Sequence, residues 1–277
     1  MKILIIGSNG LLGRALAAEF QREHQVISWD RENIDITDGR AVNSKIPEAE
    51  PDVIINSAAY TDVDGAEADS KLANLINGTA VGYLTAVAKK LNIPIVHFST
   101  EYVFDGENHD GYAEDTHPSP ISAYGRSKLL GERALMQNSD QYYLIRLSRL
   151  FGEQSAASGK KSFVKQMTDL AASKHELEIV DEELSSPTYA PDLARTTVQI
   201  VESKMPYGVY HAANSGACTW YGMAQEIFKI REIDVKLNPV AASRFPRPAQ
   251  RPKFAVLLNT KLPAQRPWQE ALKEFLS

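Results

Sequence analysis

The first twenty residues, MKILIIGSNGLLGRALAAEF, constrain the fold more than any other stretch. Lys2 to Ile6 is a short, nearly unbroken apolar run of the kind that forms a parallel strand buried on both faces. It ends in GSNGLLG, with glycines at 7, 10 and 13, and then passes into a segment of helical periodicity. Further strands are expected at 24–29 (HQVISW), 52–58 (DVIINSA) and 93–99 (IPIVHFS), with a long helical stretch from about Ala66 to Leu91 between the last two. Strands alternating with helices give right-handed crossovers, hence an α/β fold with a Rossmann-type, doubly wound parallel sheet.

From Asp105 to Ser122 the chain turns polar and rich in Gly, Asp and Pro, too long for a tight connection and of a length that in compact domains is often functional. A helix from about Ala123 to Met136 and the strand YYLIRLS follow, completing an expected dinucleotide-binding domain over residues 1–150. Beyond it come a helix near 162–173, the strands LEIV and GVYHAAN, the helix WYGMAQEIFKI and a Pro/Arg-rich loop, FPRPAQRPKF. Residues 151–277 read mostly as a small C-terminal substrate-binding lobe over the carboxyl edge of the sheet. A strand and helix near 185–203 return to the first domain.

Composition narrows the partners. With 30 basic and 35 acidic residues the net charge is −5, and no dense basic stripe marks a nucleic-acid binder. No apolar run approaches the roughly 20 residues of a membrane span. The single cysteine, Cys218, cannot form an internal disulfide, and no Cys/His spacing suits zinc. These features imply a small-molecule partner, no membrane or nucleic acid, no metal, and a cytoplasmic setting.

The turn Gly7, Asn9, Gly10, Leu11, Leu12 and Gly13 has G-x-x-G-x-x-G spacing between a strand and a helix. There, backbone N–H groups at a helix N-terminus can approach a pyrophosphate. Asp30, at the end of the second strand, is placed to accept hydrogen bonds from an adenosine ribose, which favours NAD. Arg31, and Arg14 at the start of the first helix, could instead neutralise a 2′-phosphate, so the choice between NADH and NADPH stays open. Asp35 and Ile36, in NIDITD, are candidates for the adenine end, with an ordinary turn as the alternative for Asp35.

Tyr124 and Lys128 in YGRSK are one helical turn apart and share a face. Hydride transfer to a carbonyl leaves charge on oxygen. A tyrosine can protonate that oxygen if a nearby ammonium stabilises its phenolate. Thr100, next to Ser99 at the carboxyl end of a strand, can donate a second hydrogen bond. Together, a glycine turn, a strand-end hydroxyl and Tyr-x-x-x-Lys resemble the extended short-chain dehydrogenase/reductase superfamily.

Within it, NSAAYTDVDGAE (56–67), STEYVFDG (99–106), YGRSKLLGE (124–132), SSPTYAPDLA (185–194), GVYHAANSG (208–216) and RPKFAVL (251–257) resemble the dTDP-4-dehydrorhamnose reductase family over nearly the whole chain. The resemblance implies Thr100, Tyr124 and Lys128 as a catalytic triad, reducing the 4-keto group of a nucleotide-linked 6-deoxyhexulose with NADPH or NADH. It also implies that Ala58, Ala59 and Tyr60 line the cofactor cleft and that Asn77 props the site. Val103 and Phe104 would border the sugar, while Trp220 and Arg251 would reach the diphosphate; for Trp220 a place in the lobe core is the alternative. The expected assembly is a monomer or homodimer.

Glu101, Ser162 and Ala255 depart from the family pattern, which has aspartate, asparagine and serine there. The rival activities are a nucleotide-sugar 4,6-dehydratase, an epimerase and a non-catalytic regulatory subunit. A dehydratase would carry two acids after the threonine, whereas Thr100-Glu101-Tyr102 has one.

Overall fold

In the computed structural model, which describes residues 1–153 and 162–277, the apolar runs become one parallel sheet of six strands. These are β1 (Lys2–Ile6), β2 (Gln25–Trp29), β3 (Val53–Asn56), β4 (Ile95–Thr100), β5 (Tyr142–Leu147) and a sixth, Gly208–His211. Their spatial order is sixth-β5-β4-β3-β1-β2, every neighbouring pair being parallel. The run in β1 is continuous because both faces are covered. Ile3 and Ile5 pack with Leu16 and Phe20 of helix Leu11–Phe20, while Leu4 and Ile6 pack on the opposite face with Val42 and Leu84. The chain leaves β1 in one direction to form β2 and returns to form β3 on the other side, so the crevice between β1 and β3 is a switch point. In open sheets of this type ligands bind at the carboxyl ends of the strands there.

Two expectations are corrected. GVYH, expected in the lobe, instead closes the edge of the main sheet beside β5, in register from Gly208↔Tyr143 to His211↔Arg146. A four-residue strand carries too little pattern to say which sheet it joins. The helical stretch 66–91 is not one helix. It divides into Gly65–Ala68, Ser70–Asn74, a wide π-type turn Leu75–Thr79 and helix Ala80–Leu91. Asp69 breaks it by leaving helical geometry and accepting from the Leu72 N–H through its side chain. The wide turn sets Asn77 in the interior.

The C-terminal part contributes short parallel pairs, such as Lys236–Val240 with Glu176–Val180. Its own core gathers Val164, Met167, Leu177, Met223, Ile227 and Trp268. Helix Ala190–Glu202 instead lies against helix Leu11–Phe20 on the main sheet. Among the described residues no helix is long and apolar enough to cross a membrane.

Helix Ala123–Asn138 starts at Ser122, whose hydroxyl accepts from the Gly125 N–H at 3.1 Å. It is tied to β5 by a buried pair in which Arg146 donates to both oxygens of Glu132, at 2.9 and 2.7 Å. Removing one partner strands a charge in the interior, and such losses cost about 3–5 kcal/mol. Glu132→Ala is therefore expected to lower the free energy of unfolding by about that amount in a urea titration. A loss under about 1 kcal/mol, the range of surface pairs, would show that the Arg146 charge finds another partner.

Candidate active site

A cleft of about 710 Å³ opens over the carboxyl ends of β1, β3 and β4. One half is lined by Gly7, Gly10, Leu11, Leu12, Gly13, Asp30, Ala58 and Ala59. Gly7 sits at φ +80°, and a Cβ there would come within 2.7 Å of the Ala58 nitrogen. A Cβ on Gly13 would meet the Gly7 carbonyl oxygen at 2.1 Å. Only glycine lets the turn fold this tightly against β3 and leave its amides open to a pyrophosphate, so the residues present fit a dinucleotide.

Asp30 faces the same half, and its two carboxylate oxygens accept from the Asn9 N–H at 2.8 Å and the Arg31 N–H at 2.7 Å. Asn9 thus acts through its backbone. Arg31 is exposed and does not line the cleft, and the Arg14 guanidinium is bound to the Glu153 carbonyl. Asp35 and Ile36 are also outside it. Asp35 holds a local turn, with Thr37 N–H and Oγ1 donating to it, and those bonds keep its carboxyl below the usual range. Ile36 is buried in the core.

Tyr60, expected to line the cofactor cleft, is corrected to a place behind it, where it and Asn77 serve the cleft indirectly. Asn77 Oδ1 accepts from the Tyr60 N–H at 2.8 Å, and Nδ2 donates to the Tyr60 carbonyl at 3.0 Å and to Ser127 Oγ at 2.9 Å. Ser127 in turn donates to the Tyr124 carbonyl at 2.7 Å. One buried amide thereby joins the loop after β3 to the helix that carries Tyr124.

Thr100, Tyr124 and Lys128 all line the other half. Lys128 is buried, and its Nζ donates to the Phe98 carbonyl at 2.7 Å. Burial pushes it down to about 8, partly opposed by Glu132 one turn along the helix. Burial, then the Glu101 carboxylate, push the Tyr124 phenol above its ordinary value, with a Thr100 hydrogen bond acting the other way. Lys128 is not among the groups that shift this tyrosine here, its ammonium being turned onto the Phe98 carbonyl at the strand end.

Thr100 Oγ1 lies 2.8 Å from Glu101 Oε2 and accepts from the Tyr102 N–H at 3.2 Å. Glu101, 5% exposed, also lines the cleft, and burial raises its carboxyl against the pull of Thr100, Ser148 and Arg149.

The expected sugar contacts fare differently. Val103 and Phe104 have no exposed surface and pack with Tyr112, Leu129 and Leu257, so they support the site rather than line it. The short turn Glu101–Val103 after β4 rotates them inward. Trp220 does line the cleft, donating from Nε1 to Glu183 Oε2 at 3.0 Å. Arg251 lines it as well, but its guanidinium is paired with both carboxylate oxygens of Asp64, at 2.7 and 2.6 Å.

Sequence reasoning missed Arg149 and Glu183. Arg149 follows β5 with the unusual φ of +40°, lines the cleft, donates to the Cys218 carbonyl at 2.8 Å, and stands 4.2 Å over the Trp220 ring. A left-handed arginine at a cleft wall has no signature in sequence, since glycine or asparagine is the usual occupant of that conformation.

The geometry predicts that Gly7→Ala weakens dinucleotide binding at least about tenfold, a loss of about 1.4 kcal/mol, measured by quenching of tryptophan fluorescence on titration. Unaltered affinity would show that the turn does not hold the pyrophosphate.

A model of the RmlD substrate binding domain family matches residues 1–277. A dTDP-4-dehydrorhamnose reductase of Burkholderia thailandensis is 36% identical, the match covering 95% of this chain and 92% of that one. Among solved structures, a dTDP-4-dehydrorhamnose reductase from Clostridium acetobutylicum superposes with a TM-score of 0.94 at 40% identity, covering 100% and 98% of the two chains. The same enzyme from Bacillus anthracis, solved in complex with NADP, gives 0.94 at 32% identity, covering 99% and 98%. With its full length matched and its cleft built on the glycine turn and Tyr124-x-x-x-Lys128, the chain belongs to the RmlD substrate binding domain family, that of the dTDP-4-dehydrorhamnose reductases.

Proposed function

We propose that this protein reduces the 4-keto group of a nucleotide-linked 6-deoxyhexulose, dTDP-4-dehydrorhamnose, to the corresponding alcohol, using NADPH or NADH. The observation that carries this reading is the convergence of Thr100, Tyr124 and Lys128 on one cleft with the glycine turn of Gly7. When bound, a reduced nicotinamide supplies the hydride for C4. The chain's own residues manage the proton. Tyr124, held neutral by burial, gives its phenolic proton to the C4 oxygen as charge develops there. Thr100 donates a second hydrogen bond to that oxygen. Lys128, anchored on the Phe98 carbonyl, keeps a cation beside the site and presents donors to ribose hydroxyls.

Arg149, Trp220 and Glu183 form the wall against which the nucleotide sugar lies. A single acid after the threonine favours reduction over dehydration, which must also take a C5 proton and expel a C6 hydroxyl. An intact triad favours an enzyme over a regulatory subunit. Work in the cytoplasm, as a monomer or homodimer, completes the proposal.

The test is oxidation of NADPH and of NADH, followed by absorbance, with dTDP-4-dehydrorhamnose generated in situ. One cofactor oxidised per sugar reduced is the expected result; no oxidation while the dinucleotide still binds overturns the reading. Tyr124→Phe is expected to cut kcat at least about 100-fold while leaving dinucleotide affinity in place. Turnover like that of the wild type would remove Tyr124 as the proton donor.

A further inference from the structure

The cleft contains an acid for which the reaction as described has no use. Glu101 is 5% exposed, lines the cleft and touches the Thr100 hydroxyl at 2.8 Å. A threonine hydroxyl has one proton to give and two lone pairs with which to accept. One lone pair of Thr100 is occupied by the Tyr102 N–H at 3.2 Å. The direction of the Glu101 contact then decides where the only proton goes. If Glu101 is ionised, it can only accept, and it draws the Thr100 proton away from the cleft. If Glu101 is protonated, its own O–H fills the second lone pair, and the Thr100 proton must point elsewhere. The remaining acceptors are the Tyr124 phenol oxygen and a substrate oxygen bound beside it.

We propose that Glu101 is a positioning residue that acts as a carboxylic acid, donating to Thr100 so that the threonine hydroxyl is free to donate to the substrate oxygen, and that its ionisation switches this donor off. The inference rests on the reductase reading of the site. The charged and titratable groups facing Glu101 are Arg149, at the end of β5, Tyr102 beside it, and Tyr124 from helix Ala123–Asn138. Arg149 favours the carboxylate, but its charge is shared with the Cys218 and Glu183 carbonyls and the Trp220 face. Burial is the larger influence and holds the carboxyl above its ordinary range. The sign follows: the active form is protonated, so turnover is present below the raised value for Glu101 and lost as pH rises through it. Glutamine at this position has an amide N–H that donates to Thr100 at every pH.

Two measurements test the switch. The infrared difference spectrum between wild type and Glu101→Gln, taken on the protein alone, is expected to show a carboxylic acid carbonyl band at neutral pH that disappears on alkalinisation. In turnover, wild-type kcat is expected to fall at least about 100-fold over the same interval, the scale of losing one oxyanion donor. Glu101→Gln is expected to show only the smaller fall that loss of the Lys128 proton near 8 imposes on both proteins. A carboxylate band for Glu101 at neutral pH overturns the proposal even in an active enzyme, as does the same alkaline fall in Glu101→Gln. A wild-type protein that reduces no keto sugar overturns the reductase reading instead, whatever the infrared spectrum shows for Glu101.

Discussion

The amide of Asn77 satisfies both backbone groups of Tyr60 and binds Ser127, all three bonds between 2.8 and 3.0 Å. Each partner belongs to a different part of the site. Tyr60 closes the loop after β3 that faces the dinucleotide half, and Ser127 stands on the helix of Tyr124 and Lys128. A buried amide whose groups are all paired cannot rotate without leaving a donor or acceptor stranded, at about 1–3 kcal/mol each. The wide turn Leu75–Thr79, which costs helical regularity, is the local geometry that places this amide. The spacing between the glycine turn and the proposed proton donor is thus fixed by hydrogen bonds that no ligand touches.

A second joint holds the C-terminal lobe over the sheet. Glu114, in the long polar loop, accepts from Thr260 N–H at 3.1 Å and Thr260 Oγ1 at 2.6 Å, and its carbonyl takes Arg146 at 3.3 Å. The polar composition that marked residues 105–122 as functional therefore has a structural use as well. Asp64 and Arg251 form the upper strap, from the loop after β3 to the lobe. Because Asp64 already neutralises Arg251, that guanidinium carries little uncompensated charge into the cleft. Among the described residues no carboxylate forms an ion pair with Arg149.

What the sequence made legible follows the range of the interactions that create it. β1 and the turn after it could be read because an apolar run, glycines and a helical period lie within twenty residues. Tyr124 and Lys128 could be read because helical spacing alone puts them on one face. The inward rotation of Val103 and Phe104 could not, since a three-residue turn after β4 decides it. Neither could the place of Gly208–His211, which depends on a pairing with β5 more than sixty residues earlier in the chain. Glu101 was visible as a departure from a motif, but its meaning lies in its burial and its 2.8 Å contact with Thr100, and neither is local.

The electrostatics of the cleft bear on the direction of the chemistry. A tyrosine that must remove a proton from an alcohol works best as a phenolate, and one that must deliver a proton works best as a phenol. Here burial, the largest influence on Tyr124, holds it in the phenol form, while Lys128, down to about 8, is still mostly an ammonium at neutral pH but is turned onto the Phe98 carbonyl. The proton is therefore loaded on Tyr124 before any substrate arrives. Its transfer becomes favourable only when negative charge grows on an oxygen within hydrogen-bond reach, because that oxygen is then the stronger base. The same burial that would hinder an alcohol oxidation accordingly suits a carbonyl reduction, and the proposed acid form of Glu101 would add no negative charge to repel the developing oxyanion.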